Sequence, residues 1–163
     1  MTSNTGSRSE PQLTAFRIGS AAYPLLDGAG AAASDHARWN SRGRHIIYAA
    51  EHYATALLEK VAQLNSSRIP RSLVYVRIHL PTGASVEELH PDDLTGWAAD
   101  NRKNSQRFGD RWYDERRSLI LLVPSLAAPG LERNVLINPR HPDFAAVTAS
   151  AAEPIRCHPR LRA

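Results

Sequence analysis

Apolar and polar positions alternate most clearly between Pro70 and Pro81. There Ser72-Leu-Val-Tyr-Val-Arg-Ile-His-Leu80 is rich in β-branched and aromatic residues and predicts a strand. Leu73, Tyr75, Arg77 and His79 share one face; Val74, Val76, Ile78 and Leu80 share the other, which is purely apolar and is expected to meet the core. Shorter strands are expected over Thr14–Ile18, over His45–Ala49 after Gly43, and over Leu119–Val123, stopped by Pro124. Val135–Ile137, Ala145–Thr148 and Ile155–Cys157 are further short candidates. Helical spacing replaces alternation in His52–Asn65, where Tyr53, Leu57, Val61 and Leu64 form one apolar stripe. A second helix is expected from Trp97 to about Trp112, with Gly109 interrupting its end. Interspersed helices and strands predict an α+β domain with a mixed, mostly antiparallel sheet.

Residues 1–12 show no apolar pattern and are expected to be a flexible tail, leaving 13–163 as one domain. Gly28-Ala-Gly-Ala-Ala-Ala33 reads as a mobile loop. The chain has 163 residues, 42% of them apolar and 22% charged, which is ordinary globular composition. Its single cysteine, Cys157, excludes an internal disulfide and a cysteine-built zinc site. No apolar run reaches the roughly 20 residues of a membrane helix, and Met1–Pro11 lacks the apolar core of a signal peptide. A cytoplasmic protein without membrane contact is expected. The net charge of +4 suits a phosphate-bearing ligand or an acidic partner, but such a mild excess reads first as a solvated basic surface. The arginines form no dense aromatic-interleaved stripe, so direct nucleic-acid binding is not expected.

Three stretches carry candidate chemistry. Arg38-Trp39-Asn40-Ser41-Arg42-Gly43 sets a guanidinium, an indole and an amide ahead of a strand, although a packed Trp and a surface Arg would explain it alone. Glu59 lies about 200° around its helix from Leu57, off the apolar stripe. By itself it reads as a solvated glutamate; the alternative is a carboxylate facing a cleft, with Thr55 and Ala62 as small neighbours. Ser125 follows a buried strand, where its hydroxyl would meet a ligand or bond a nearby turn. Asn134 and the Asn138-Pro-Arg-His-Pro142 run complete the third stretch. Gly28-x-Gly30-x-x-Ala33 imitates a dinucleotide fingerprint without the strand and helix that it needs. The seven histidines show no ligand-like spacing, and no metal is expected.

Taken in order, Ala15-Phe-Arg-Ile18, Arg38-Trp-Asn-Ser-Arg-Gly43, Ile47-Tyr-Ala-Ala50, Ala56-Leu-Leu-Glu59, Gly96-Trp97, Gly109-Asp-Arg-Trp112, Val123-Pro-Ser125, Asn134 to Pro142 and Pro159-Arg-Leu161 resemble the RES domain family, toxins of RES–Xre type II toxin–antitoxin pairs. The resemblance covers residues 14 to 161. It implies a fold related to ADP-ribosyltransferases, with a split sheet and flanking helices holding NAD⁺ in a cleft. Arg38, Tyr48 and Glu59 resemble the family's NAD-handling trio, and Ser125 its serine; Arg17, Asn40 and Asn134 would be further substrate contacts. Two departures are His36-Ala37, where many relatives carry Gly-Gly, and Cys157-His158 before the final Pro-Arg-Leu.

The implied activity is cleavage of the nicotinamide–ribose bond of NAD⁺, used as substrate, with inorganic phosphate or water as acceptor. Glu59 would stabilise a ribose with oxocarbenium character. Arg38 would hold ribose or phosphate oxygens, Tyr48 would pack on nicotinamide, and Ser125 would bind a phosphate oxygen. A helix-turn-helix antitoxin of Xre type and a homodimeric core are implied in the same way. Protein ADP-ribosyltransferase activity is the alternative on the same fold. An RNA-cleaving toxin using His141 or His45, and a catalytically silent NAD-binding module, are the alternatives outside it.

Overall fold

The computed structural model describes residues 12–64 and 66–163. In chain order these form β1 (Thr14–Ser20), α1 (Ala29–Ala33), β2 (Ile47–Ala50), α2 (Tyr53–Gln63), β3 (Leu73–His79), β4 (Val86–Glu88), α3 (Lys103–Glu115), β5 (Ile120–Pro124), β6 (Arg133–Ile137), β7 (Thr148–Ala149) and β8 (Glu153–Pro154). Short 3₁₀ turns cover Pro91–Asp93, Pro142–Ala146 and Pro159–Leu161. The strands make one sheet in the order β4-β5-β6-β2-β1-β3-β7, with β8 also on β3. Only the β4–β5 pair is parallel among the described strands. The α+β fold with a mostly antiparallel sheet is therefore the one expected.

The sheet is weakest in its middle. β1 and β3 stay in register from Thr14↔His79 to Ser20↔Leu73, whereas β1 and β2 align only at Phe16↔Ala50. Two well-paired halves thus meet at a narrow seam, which is the physical form of the split. One face carries a continuous core: Ile47, Val76, Ile78, Ile120, Val135 and Ile137 pack there, closed over by Leu25, Leu26 and Phe144. The opposite face carries two separate clusters. Trp39, Trp112, Leu121 and Leu136 pack under α3 on the β5–β6–β2 half. Ile18, Tyr75 and Ile155 pack with Tyr53, Leu57 and Val61 of α2 on the β1–β3 half. The gap between these clusters lies over the seam.

Several expectations are corrected. On β3 Val76 and Ile78 meet the core as expected, and Leu73 and Tyr75 on the other face are buried as well, because α2 and the Ile155 segment cover them. Gly28–Ala33 is not a loop throughout. Gly28 (φ 65°) turns into the one-turn helix α1, and a Cβ there would overlap the backbone of His45. The second helix starts at Lys103 rather than Trp97, since Gly96 (φ 74°) and Arg102 (φ 55°) both take left-handed conformations. Gly109 lies inside α3, not at its end. The expected strand at Ala145–Thr148 is a 3₁₀ turn followed by the two-residue β7, and the one at Ile155–Cys157 sits earlier, at β8. The strand β4 was not anticipated. Apart from Gln12, the expected tail lies outside the described residues, as does Asn65 at the expected end of α2.

Candidate functional site

A cleft enclosing about 110 Å³ opens over the seam, lined by Arg17 of β1, Tyr48 of β2, Glu59, Lys60 and Gln63 of α2, and Asn134 of β6, among others. Small-molecule sites typically enclose roughly 300–1,000 Å³. This hollow is therefore large enough for a small group or for one end of a larger ligand.

Glu59 is the best-determined side chain in it. The apolar stripe of α2 packs on β1 and β3, which turns the Thr55–Glu59 side towards β6. Ser125 Oγ and Asn134 Nδ2 both donate to Glu59 Oε1, each at 2.7 Å. Thr55, one turn earlier, donates to Glu132 at 2.7 Å, and His52 Nδ1 meets the same Glu132 oxygen at 2.7 Å. The head of the helix is thereby tied to the strand that supplies Asn134. Asn134 Oδ1 is buried without a partner among the described residues, so the amide still has an acceptor unused. Such buried, unsatisfied atoms are uncommon and concentrate where a ligand or water completes them.

Tyr48 is fixed by its hydroxyl, which donates to Asn40 Oδ1 at 2.6 Å and accepts from the Trp39 amide at 3.0 Å. Burial pushes this phenol well above the usual tyrosine range, so it stays protonated. Asn40 is fully buried, and its Nδ2 faces the carbonyls of Ala31, Ser41 and Arg44. It acts on the cleft through Tyr48. The loop carrying both is clamped from α3: Asp110 accepts from Ser41 N (2.9 Å) and Ser41 Oγ (2.6 Å), and Gly109 packs directly beneath the Trp39 carbonyl.

Arg17 sits at the seam. Its Nη1 donates to the Tyr48 carbonyl at 2.8 Å, while Nε is buried without an acceptor. Burial lowers its pKa, with Asp27 opposing. Arg38 is bound by the carbonyls of Trp97 (2.9 Å) and Ala99 (3.0 Å) and is not in the lining of the hollow. Burial and then Arg102 lower its pKa, and the fields of Glu59 and Tyr48 reach it. Ser125 is fully buried and spends its proton on Glu59. Of the residues singled out from the sequence, Arg17, Tyr48, Glu59 and Asn134 therefore share one hollow. Ser125 and Asn40 stand behind it, and Arg38 lies beside it. Lys60 and Gln63 were not singled out; the available signal was small Ala56, one turn before Lys60 on the same side of α2.

Among the described residues no group of three or more His, Cys, Asp or Glu side chains is arranged to hold a metal ion, and no helix is long and apolar enough to cross a membrane. His45 and His141, the candidates for an RNA-cleaving site, meet local groups: His45 Nδ1 the Asp27 carbonyl, and His141 Nδ1 the Asp143 amide.

The RES domain family model matches residues 14–159. A relative from Sphingobium sp. (strain YBL2), named Prs ADP-ribosylating toxin, is 40% identical over 140 residues, covering 83% of this chain and 86% of that protein. A protein named Toxin Res from Pseudomonas putida is 35% identical over 123 residues, covering 74% of this chain and 82% of its own. A chain from the crystal structure of the M. tuberculosis MbcT–MbcA toxin–antitoxin complex superimposes with a TM-score of 0.72 at 16% identity, covering 90% of this chain and 85% of that one. By the extent of these matches, the chain belongs to the RES domain family of toxins.

Proposed function

We propose that this toxin breaks the nicotinamide–ribose bond of NAD⁺. The observation that carries the reading is Glu59: a carboxylate held by Ser125 and Asn134 through one oxygen, at the wall of a cleft that also presents a tyrosine ring and a buried guanidinium. Nicotinamide leaves as a neutral base, and the ribose gains positive character as the bond stretches. A fixed carboxylate beside it stabilises that charge without reorganising. Glu59 Oε2 accepts no hydrogen bond among the described residues and is the oxygen that meets the ribose. Tyr48 presents its ring to nicotinamide while its hydroxyl stays tied to the loop. Arg17, with positive charge at the seam, faces the anionic part of the ligand. Arg38 holds the Trp97–Ala99 segment beside the mouth and adds positive potential there.

The acceptor is phosphate or water; a protein side chain is the second reading, favoured by the relative named as an ADP-ribosylating toxin. In a cytoplasmic setting the partner is an antitoxin of helix-turn-helix type that covers the cleft of a homodimeric core. The toxin–antitoxin assembly named for the structural neighbour supports an antitoxin partner. The test is to incubate purified chain with NAD⁺, with and without inorganic phosphate, and to identify products by mass. ADP-ribose 1″-phosphate denotes phosphorolysis, free ADP-ribose hydrolysis, and a modified protein transfer. Glu59→Gln is expected to lower the rate by about 10²–10³. Intact NAD⁺ in every arm, with RNA degraded instead, discards the reading.

A further inference from the structure

The cleft is lined by two cations, Arg17 and Lys60, and among the described residues no carboxylate is paired with either. Lys60 follows Glu59 on α2 and lines the same hollow as Arg17. Its side chain is only partly exposed. Its ammonium has one near acceptor, the side-chain oxygen of Gln63 at 3.4 Å, and forms no ion pair among the described residues. The one engaged Glu59 oxygen already accepts two hydrogen bonds. Arg17 has given Nη1 to a neutral carbonyl and has no acceptor for Nε among the described residues. Burial, and then the neighbouring charge of Arg17, lower the Lys60 pKa. A partly desolvated pair of like charges is unfavourable in the empty fold, and an anion placed between them reverses the sign.

We propose that Lys60 and Arg17 form a two-point subsite for a phosphate group in the cleft. A phosphate offers several acceptor oxygens, enough for an ammonium and a guanidinium together. Lys60 is then a specificity-determining residue for anionic ligands. Its source is either the pyrophosphate of a bound dinucleotide or free phosphate acting as acceptor. Only the choice of source rests on the NAD⁺ reading.

The test titrates pyrophosphate and inorganic phosphate into the full chain by calorimetry, comparing wild type with Lys60→Gln and Lys60→Arg. The glutamine variant is expected to bind at least one of these anions about tenfold more weakly, as for loss of a charged hydrogen bond, and the arginine variant to restore it. Equal affinities in all three proteins overturn the subsite. So does a melting temperature of Lys60→Gln clearly below wild type without anion, because removing an unpaired charge should leave the fold as stable or more so. In turnover, a raised KM for NAD⁺ alone identifies the pyrophosphate, and a raised KM for phosphate alone identifies the acceptor. Lys60-dependent anion binding with NAD⁺ left intact keeps the subsite and discards the enzyme reading. NAD⁺ cleavage with anion affinities unmoved discards the subsite alone.

Discussion

Ser125 reaches across 66 positions of sequence to place its hydroxyl 2.7 Å from Glu59 Oε1. It is fully buried and also accepts from the Ala128 amide at 3.3 Å, so its oxygen is held by the turn while its proton is committed to the carboxylate. Asn134 donates to the same oxygen. Two donors from different elements thus define where the carboxylate sits, and its second oxygen accepts no hydrogen bond among the described residues. Ser125, expected from the family resemblance to bind a phosphate oxygen, donates to Glu59 in this fold.

Removing either donor should therefore act through Glu59. Ser125→Ala is expected to lower kcat for NAD⁺ cleavage by about tenfold to a hundredfold, the range for a hydrogen bond to a charged group, with little change in KM. Because Asn134 Nδ2 shares the acceptor, the losses in Ser125→Ala and Asn134→Ala should be less than additive in the double variant. A double-mutant cycle on kcat checks this. Strictly additive losses would show that the two donors serve separate purposes.

Gly109→Ala sets two effects of opposite sign against each other. Alanine gains up to about 1 kcal/mol of helix propensity over glycine. A Cβ at this position, however, overlaps the backbone carbonyl of Trp39, and a backbone atom cannot swing away as a side chain can. The second effect wins. A net loss of about 1–3 kcal/mol is expected from forced overpacking, read by denaturant unfolding. The displaced loop also carries Arg38 and Asn40, so activity should fall with stability.

Tyr48→Phe separates the ring from its hydroxyl. The Trp39 amide and Asn40 Oδ1 lose the partner that now bridges them. Leaving such buried groups unsatisfied costs about 1–3 kcal/mol. The ring that lines the cleft remains. The expected outcome is a clear drop in melting temperature with KM for NAD⁺ moved only slightly. A large rise in KM at unchanged stability would mean that the hydroxyl itself touches substrate.

The degree to which all this was legible differs by element. β3 and β5 were readable because burial on a sheet demands β-branched and apolar runs, and Leu119, Ile120, Leu121 and Val123 are all fully buried. β4 was not, because Val86-Glu-Glu88 is a short exposed edge whose strand character comes from lying parallel to β5. The start of α3 was misplaced because Arg102 takes a left-handed conformation with no glycine to announce it. Arg17, Tyr48, Glu59 and Asn134 were marked by family resemblance, but their convergence on one hollow depends on the β1–β2 seam. A single register pair cannot be seen in a linear pattern. Arg38 lies beside the hollow rather than in its lining because its partners are the backbone carbonyls of Trp97 and Ala99, which leave no trace in side-chain identity.

Acid should release the helix that carries Glu59 through Glu132. Hydrogen bonds from Thr55, and then from His52, hold the Glu132 carboxyl below the usual glutamate range. A carboxylate whose folded pKa is depressed binds fewer protons folded than unfolded between the two values. Its contribution is therefore fully present above the unfolded pKa of about 4.3 and is lost as pH falls through the lower folded value. Thr55 and His52 lie at the head of α2, so the loss falls on the tie between that helix and β6. Thermal melts recorded from pH 6 down to pH 3 should show part of the decline removed in Glu132→Gln, which cannot titrate. That variant should also start from a lower melting temperature at pH 6, because a neutral amide is a weaker acceptor for Thr55 and His52. Identical acid profiles for the two proteins would place the acid sensitivity elsewhere, with Asp114 beside Arg44 the next carboxylate held low by a partner.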